Sequence, residues 1–171
     1  MKNKNFNFEK FLDQRVAIFI DTNNLYHSAK NLFNKKVNFK NFLREALRKR
    51  KLVRAIAYVI TTKTKEEKSF LEALEKIGIE TKKKELLEYP GGVKKANWDV
   101  GIAVDAIKIS PFVDVIVLGS GDGDFIDLCE YLKNHGKKVE IVSFGSTTSS
   151  KLKQVADYFL DMEKFPKKFL L

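Results

Sequence analysis

Val16-Ala17-Ile18-Phe19-Ile20-Asp21-Thr22-Asn23-Asn24 is the stretch on which the reading of this chain turns. Its apolar half is dense in β-branched residues and shows no polar alternation. That is how a strand buried on both faces of a parallel sheet reads. The strand then passes at once into a turn of acid and amide side chains. The pattern recurs where Val115-Ile116-Val117-Leu118 runs into Gly119-Ser120-Gly121-Asp122-Gly123-Asp124. A helical pattern follows each turn, so each is a strand-turn-helix unit. In parallel α/β sheets the functional crevice lies outside the carboxyl ends of the strands. Two such turns therefore deliver Asp21, Asp122 and Asp124 to one edge.

Outward from these units, strand and helix alternate. Leu25, Ala29, Leu32 and Phe33 share one helical face. Asn38 caps a second helix whose Phe39, Phe42, Leu43, Ala46 and Leu47 turn inward. The basic run Arg44, Arg48, Lys49, Arg50 and Lys51 suits that helix's C-terminus. A strand is expected over residues 54–60, then a helix with Phe70, Leu71, Leu74 and Ile77 on one stripe, ended by Gly78. Residues 79–86 read as a more exposed strand carrying Lys82, Lys83 and Lys84, a solvated strand face in the plainer interpretation. Tyr89-Pro90-Gly91-Gly92 is a turn opening a basic loop that reaches Asn97. A helix over residues 98–109 leads to the second apolar strand. The next helix places Phe125, Leu128, Cys129 and Leu132 on its core side. Residues 139–143 form a further strand, and a last helix running through Ala156 precedes a closing edge strand at residues 158–160. Strands joined by crossover helices predict an α/β fold: a three-layer α/β/α sandwich with a mainly parallel central sheet of five to six strands.

A length of 171 residues suggests one domain, with residues 1–14 as an N-terminal arm or short helix and residues 15–171 as the domain itself. No apolar stretch reaches the roughly 18 residues of a membrane span, and residues 1–10 lack a signal peptide's apolar centre. The single cysteine, Cys129, excludes an internal disulfide and fits a reducing, cytoplasmic setting. Lys and Arg number 32 against 22 Asp and Glu, a net charge of +10, which points to polyanionic partners. A lysine-rich proteome gives the same excess, so charge alone does not decide the matter.

The acids carry more information. Asp99, in the first turn of the helix over residues 98–109, is a third contributor to the edge, favoured there by the helix dipole. Asp105, six residues on, lies well off the Asp99 face and is a secondary candidate. Asp124 is placed to meet a metal directly or through water. Several carboxylates cannot share a small crevice fully ionised without a compensating cation. Oxygen-only ligation suits Mg²⁺ or Mn²⁺, and no Cys/His spacing for zinc exists. Such an ion polarises a phosphoryl oxygen and lowers the pKa of bound water. Asn23 and Asn24 offer carboxamides to orient Asp21 or touch phosphate. Ser120 and the Gly121 and Gly123 amides are placed to hold a phosphate. Lys94 and Lys95 are placed to meet a polyanionic backbone, and Tyr26, Tyr89 and Trp98 to stack bases. Each has a plainer reading. Asp21, Asp122 and Asp124 are equally good helix caps taken singly. Cys129 reads as packing, His27 and His135 are isolated, and Tyr26 and Trp98 suit packing as well as base contact.

Three segments together resemble the NYN domain, a branch of the PIN-like nuclease superfamily, nearest to its bacterial LabA and DUF88 type. Val16 through Leu25 is similar to the family's opening motif, with Thr22 where glycine is usual. Lys95 through Asp105 resembles its lysine-to-aspartate motif, with Asn97-Trp98 replacing small or β-branched residues. Ser120-Gly121-Asp122-Gly123-Asp124-Phe125 matches its third signature, and Ala156-Asp157-Tyr158-Phe159 its closing segment. The resemblance implies a PIN-like fold and a Mg²⁺- or Mn²⁺-dependent endoribonuclease that cleaves single-stranded RNA by metal-activated water. It places Asp21, Asp99 and Asp122 in the metal cluster, supported by Asp124 and Asn24. Thr22 and Asn97-Trp98 are expected to narrow access or alter substrate preference. A non-catalytic RNA-binding or regulatory module and a phosphohydrolase of small substrates stay open as alternatives. RNA against DNA, and a homodimer against a monomer, are not decided.

Overall fold

A computed structural model of the protein describes residues 11–171, apart from the side chains of residues 93–95. The expected arm over residues 1–14 thus lies largely outside the described residues. The chain runs through β1 (Arg15–Asp21), α1 (Thr22–Phe33), α2 (Phe39–Leu47), β2 (Lys51–Thr61), α3 (Lys65–Lys76) and β3 (Glu80–Glu85). Two short strands, β4 (Leu87–Tyr89) and β5 (Val93–Lys95), come next. Then follow α4 (Asp99–Ile109), β6 (Val115–Gly119), α5 (Ile126–Asn134), β7 (Lys138–Ser143), α6 (Ser150–Val155), β8 (Tyr158–Asp161) and α7 (Pro166–Phe169).

Among the described residues the central sheet has six strands in the order β3-β2-β1-β6-β7-β8, every neighbouring pair parallel. Alternation along each strand separates two cores. Val16, Ile18 and Ile20 face the layer containing Leu25, Phe42, Leu74 and Phe169, contributed by α1, α2, α3 and α7. Ala17 and Phe19 face the layer containing Ile102, Ala106, Leu128, Cys129 and Leu152, contributed by α4, α5 and α6. Since both faces are covered, β1 carries only apolar residues from Val16 to Ile20 and β6 from Val115 to Leu118, which is why they read as unbroken hydrophobic runs.

The chain first steps outward from β1 through β2 to β3, then returns to β6 and steps outward the other way. The strand order therefore reverses between β1 and β6, and the crevice of such a sheet opens beside that reversal. Register sets what sits there: Ile20 pairs with Gly119, so Asp21 and Ser120 emerge side by side at the sheet edge.

Three local details depart from the sequence reading. The stretch after Leu86, expected as a loop, is an antiparallel β4–β5 hairpin, turned through Gly91 at φ 96° and Gly92 at φ 78°. β2 starts three residues earlier than expected, at Lys51. Arg50, assigned to the basic C-terminal end of α2, is buried. Its guanidinium grips Glu140 on β7 at 2.9 and 2.8 Å and donates to the Ala46 and Leu47 carbonyls at 2.9 and 3.0 Å. Asn38 does cap α2, accepting from the Asn41 amide at 3.1 Å. Among the described residues no helix is long and apolar enough to cross a membrane.

Candidate metal centre

A cleft of about 540 Å³ opens at the strand-order reversal, lined on its acidic side by Asp21, Asp99, Asp122 and Asp124. Asp21 ends β1 and caps α1: its Oδ1 accepts from the Asn24 amide at 3.1 Å. Its Oδ2 accepts from the Ser120 hydroxyl at 3.2 Å. The same Ser120 oxygen accepts from the Asp122 amide at 3.2 Å, and Asp122 Oδ1 accepts from the Asp124 amide at 2.9 Å. The capping roles expected of Asp21 and Asp122 are therefore real, and they fix the carboxylates rather than use them up, while Asp124 does not cap α5, which starts from Phe125 without a side-chain cap bond. A carboxylate oxygen that accepts one N–H keeps a further lone pair for another partner.

Asp99, Asp122 and Asp124 each present an oxygen within 4.8 Å of the others. The residues come from two separate elements, the N-terminus of α4 and the turn after β6, brought together by the sheet. Asp21 lines the same cleft outside this trio, held by Asn24 and Ser120. Oxygens on opposite sides of a Mg²⁺ ion lie about 4.2 Å apart, given bonds of roughly 2.1 Å. Adjacent oxygens lie closer, at about 3 Å, so the trio draws in by side-chain rotation to grip a hard divalent cation, and its all-oxygen donor set has the right chemistry for one.

The electrostatics agree. Burial pushes Asp99 above the ordinary carboxylate value, and Asp122, Asp21 and Asp124 push it further, with Lys84 opposing. Burial also raises Asp21, against the hydrogen bonds from Asn24 and Ser120, with Asp122 adding to the rise. Each group resists ionisation because burial, with neighbouring negative charge adding to it, disfavours the charged form, and a cation would offset both.

The remaining expected site residues divide. Asn24 lines the cleft and its Oδ1 accepts from the Gly121 amide at 3.0 Å, so it ties α1 to the second turn. That bond also occupies the Gly121 N–H expected to hold a phosphate. Asn23 is exposed on the cleft wall. Ser120, expected to touch phosphate, is 2% exposed and positions Asp21 and Asp122 from behind. Asp105 is not among the cleft residues. It accepts from the Tyr58 hydroxyl and the Lys82 ammonium, both at 2.7 Å. Desolvation raises its pKa, but those two bonds outweigh it and the net direction is down. The side chains of Lys94 and Lys95 lie outside the described residues. Thr22, expected to narrow access, is buried with its hydroxyl donating to the Tyr58 carbonyl at 2.6 Å, away from the cleft. Asn97 and Trp98 do shape the cleft.

Sequence reasoning passed over part of the wall. His27 and Asn31 line the cleft with Asn23, spaced four residues apart along α1. Their spacing places them on one stripe of the helix, but polar residues at that interval look the same on any solvated face. Ser28 and Thr147 join them, the Thr147 hydroxyl donating to the Ser28 hydroxyl at 2.8 Å.

Residues 15–163 match the family profile described as the NYN domain. The chain is 27% identical over 161 residues to the low amplitude and bright protein LabA of Synechococcus elongatus, covering 89% of this chain and 86% of that one. It is 33% identical over 86 residues to an uncharacterized protein of Methanocaldococcus jannaschii, covering 44% of this chain and 36% of that one. The crystal structure of a protein of unknown function from Vibrio parahaemolyticus is similar at a TM-score of 0.86 and 32% identity, covering 94% of this chain and 98% of the other.

Proposed function

The chain belongs to the NYN domain family, whose members are generally nucleases, and on that premise we propose that it is a Mg²⁺- or Mn²⁺-dependent endoribonuclease of single-stranded RNA. The observation that carries the reading is the convergence of Asp99, Asp122 and Asp124 within 4.8 Å at the strand-order reversal, with Asp21 lining the same cleft. A divalent ion held there supplies Lewis-acid polarisation of a phosphoryl oxygen and a lowered pKa for a bound water. The protein's own groups do the rest.

Asp99 and Asp122, both half-buried, would hold the cation, Asp122 braced by its hydrogen bond from the Asp124 amide. Asp124, the exposed member of the trio, is the carboxylate placed to accept the attacking water's proton. Asp21 keeps Ser120 and Asn24 in register, and through Ser120 it fixes Asp122. Asn23, His27 and Asn31 offer hydrogen bonds along one wall at about 6 Å intervals, four residues at 1.5 Å rise, suited to an extended strand. The net charge of +10 draws a polyanion toward a centre that would otherwise repel it. Cys129, buried and with its thiol pushed up to about 12 by burial, fits the reducing conditions of the cytoplasm.

Labelled single-stranded RNA incubated with Mn²⁺ tests the proposal. Wild type cleaves it, and Asp99→Asn and Asp122→Asn each lose at least a hundredfold in rate. Equal cleavage by wild type and both variants would refute the reading. RNA bound but left intact by wild type would reduce the protein to a binding module, and hydrolysis of mononucleotides in preference to the strand would make it a phosphohydrolase.

A further inference from the structure

Trp98 forms the aromatic wall of the cleft, one residue from Asp99 and beside Ile60. Its indole is fixed from several directions. Nε1 donates to the Val59 carbonyl at 3.1 Å, and the ring meets Tyr58 edge-on at 5.3 Å between centroids. It also lies so close over Gly101 that a Cβ there would sit 2.6 Å from its Cε3. A half-buried indole held this tightly is a preorganised surface, since no rotamer freedom remains to be lost when a partner docks.

One further group sits on the ring. The exposed Lys84, reaching over from β3, holds its ammonium 4.3 Å from the indole centroid and donates to the Asn97 carbonyl at 2.9 Å. Both contacts are of the kind that a solvated cation gives up readily. An ammonium that leaves an aromatic face beside a phosphodiester-cutting centre has an obvious new partner in a phosphate oxygen.

We propose that Trp98 is the nucleobase platform of the cleft and that Lys84 is its placeholder. In the free protein the ammonium covers the indole. When a strand binds, a base takes the ring face and the ammonium moves to a phosphate of the same nucleotide, next to Asp99. The exchange keeps the ammonium paired and that face of the indole covered. It rests on the reading of the cleft as an RNA site and adds to it a determinant that demands a base. A ribose-phosphate chain without bases satisfies the acids and lysines but not Trp98. Stacking of this sort tolerates any base, since each offers a π-face.

Trp98 is the single tryptophan of the chain, so intrinsic fluorescence reports on this one ring. The full-length protein carrying Asp122→Asn is titrated with a short oligoadenylate and with an abasic ribose-phosphate strand of equal length. The oligoadenylate shifts and quenches the emission, while the abasic strand binds without doing so. Trp98→Leu weakens the oligoadenylate roughly tenfold and leaves the abasic strand unchanged. Lys84→Gln, on an exposed side chain, lowers the salt dependence of binding by about one counterion and keeps the test available if Trp98→Leu fails to fold. Emission unchanged at saturation, or equal weakening of both strands by Trp98→Leu, would overturn the proposal. Acid-dependent cleavage with a silent Trp98 sinks the platform alone. A responding Trp98 with cleavage indifferent to the acids sinks the nuclease reading and leaves the platform standing.

Discussion

Replacing Asp122 with asparagine should make the metal-free protein more stable while disabling it. Its carboxylate lies within 4.8 Å of those of Asp99 and Asp124. Two unit charges at that distance repel by about 3.5 kcal/mol at an effective dielectric of 20, and by about 0.9 kcal/mol in water. Asp124 is exposed and the other two are half-buried, so the water-like limit governs. Loss of two such pairs gives about 2 kcal/mol. Asparagine keeps an Oδ1 to accept the Asp124 amide, now at 2.9 Å, so the turn itself is preserved. A gain of that size raises Tm by roughly 4–8 °C in a chain of this length. Saturating Mn²⁺ then reverses the order. At a hundred times its Kd a ligand adds about 2.7 kcal/mol to whichever protein binds it, and the wild type binds it better. Calorimetric unfolding in EDTA and in Mn²⁺ makes the measurement. A variant less stable than wild type in EDTA, or one stabilised equally by Mn²⁺, would show that no charge strain is stored at this edge.

Asp105→Ala should lower stability by roughly 1–3 kcal/mol, the worth of hydrogen bonds to a charged group, because Tyr58 and Lys82 lose their acceptor. Its Mn²⁺ affinity, followed by titration calorimetry, should stay within twofold of wild type. Gly121→Ala brings a Cβ to 2.8 Å from Thr148 Oγ1 and 2.9 Å from the Thr147 carbonyl, and so must shift the turn carrying Ser120 and Asp122. RNA cleavage should fall at least tenfold while the protein stays folded by circular dichroism. Stability against pH should show two opposite contributions in metal-free protein. The Arg15 hydrogen bond, with help from the Arg15 amide, holds Asp114 down at about 2, so its contribution is present above the ordinary value of 3.8 and lost as pH falls toward 2. Asp21 and Asp99 are raised, so above the ordinary value of 3.8 they hold protons in the folded state that the unfolded chain has released, and stability falls as pH climbs above that value. Asp114→Asn should flatten the acid limb and Asp21→Asn the opposite one in urea unfolding followed across pH.

Much of this architecture was legible because buried parallel strands cannot hide. β1 and β6 need apolar residues on both faces, and the acids that follow them are placed by the strand ends. The β4–β5 hairpin was not legible, since Leu87–Tyr89 and Val93–Lys95 are too short to show alternation, and only the glycine turn between them is a signal. Nor was the Arg50–Glu140 pair. Ninety residues separate its partners, Glu140 sits between the apolar Val139 and Ile141, and Arg50 belongs to a basic run that reads as a helix C-terminus. Within the site, the acids were legible as a group but not their depth. That Asp21 is tied to the second turn follows from the Ile20–Gly119 register and from the Ser120 hydroxyl donating to its carboxylate, both long-range facts. Trp98 was visible as an aromatic, but Lys84 above it was not, because the contact joins a sheet edge to a helix start.

Crystals grown or soaked with Mn²⁺ and measured at its absorption edge give the most direct test of the central claim. The account predicts an anomalous peak within bonding distance of Asp99 and Asp122, with Asp124 bound directly or through water. A well-ordered cleft with no such peak, or manganese bound elsewhere on the surface instead, would contradict it.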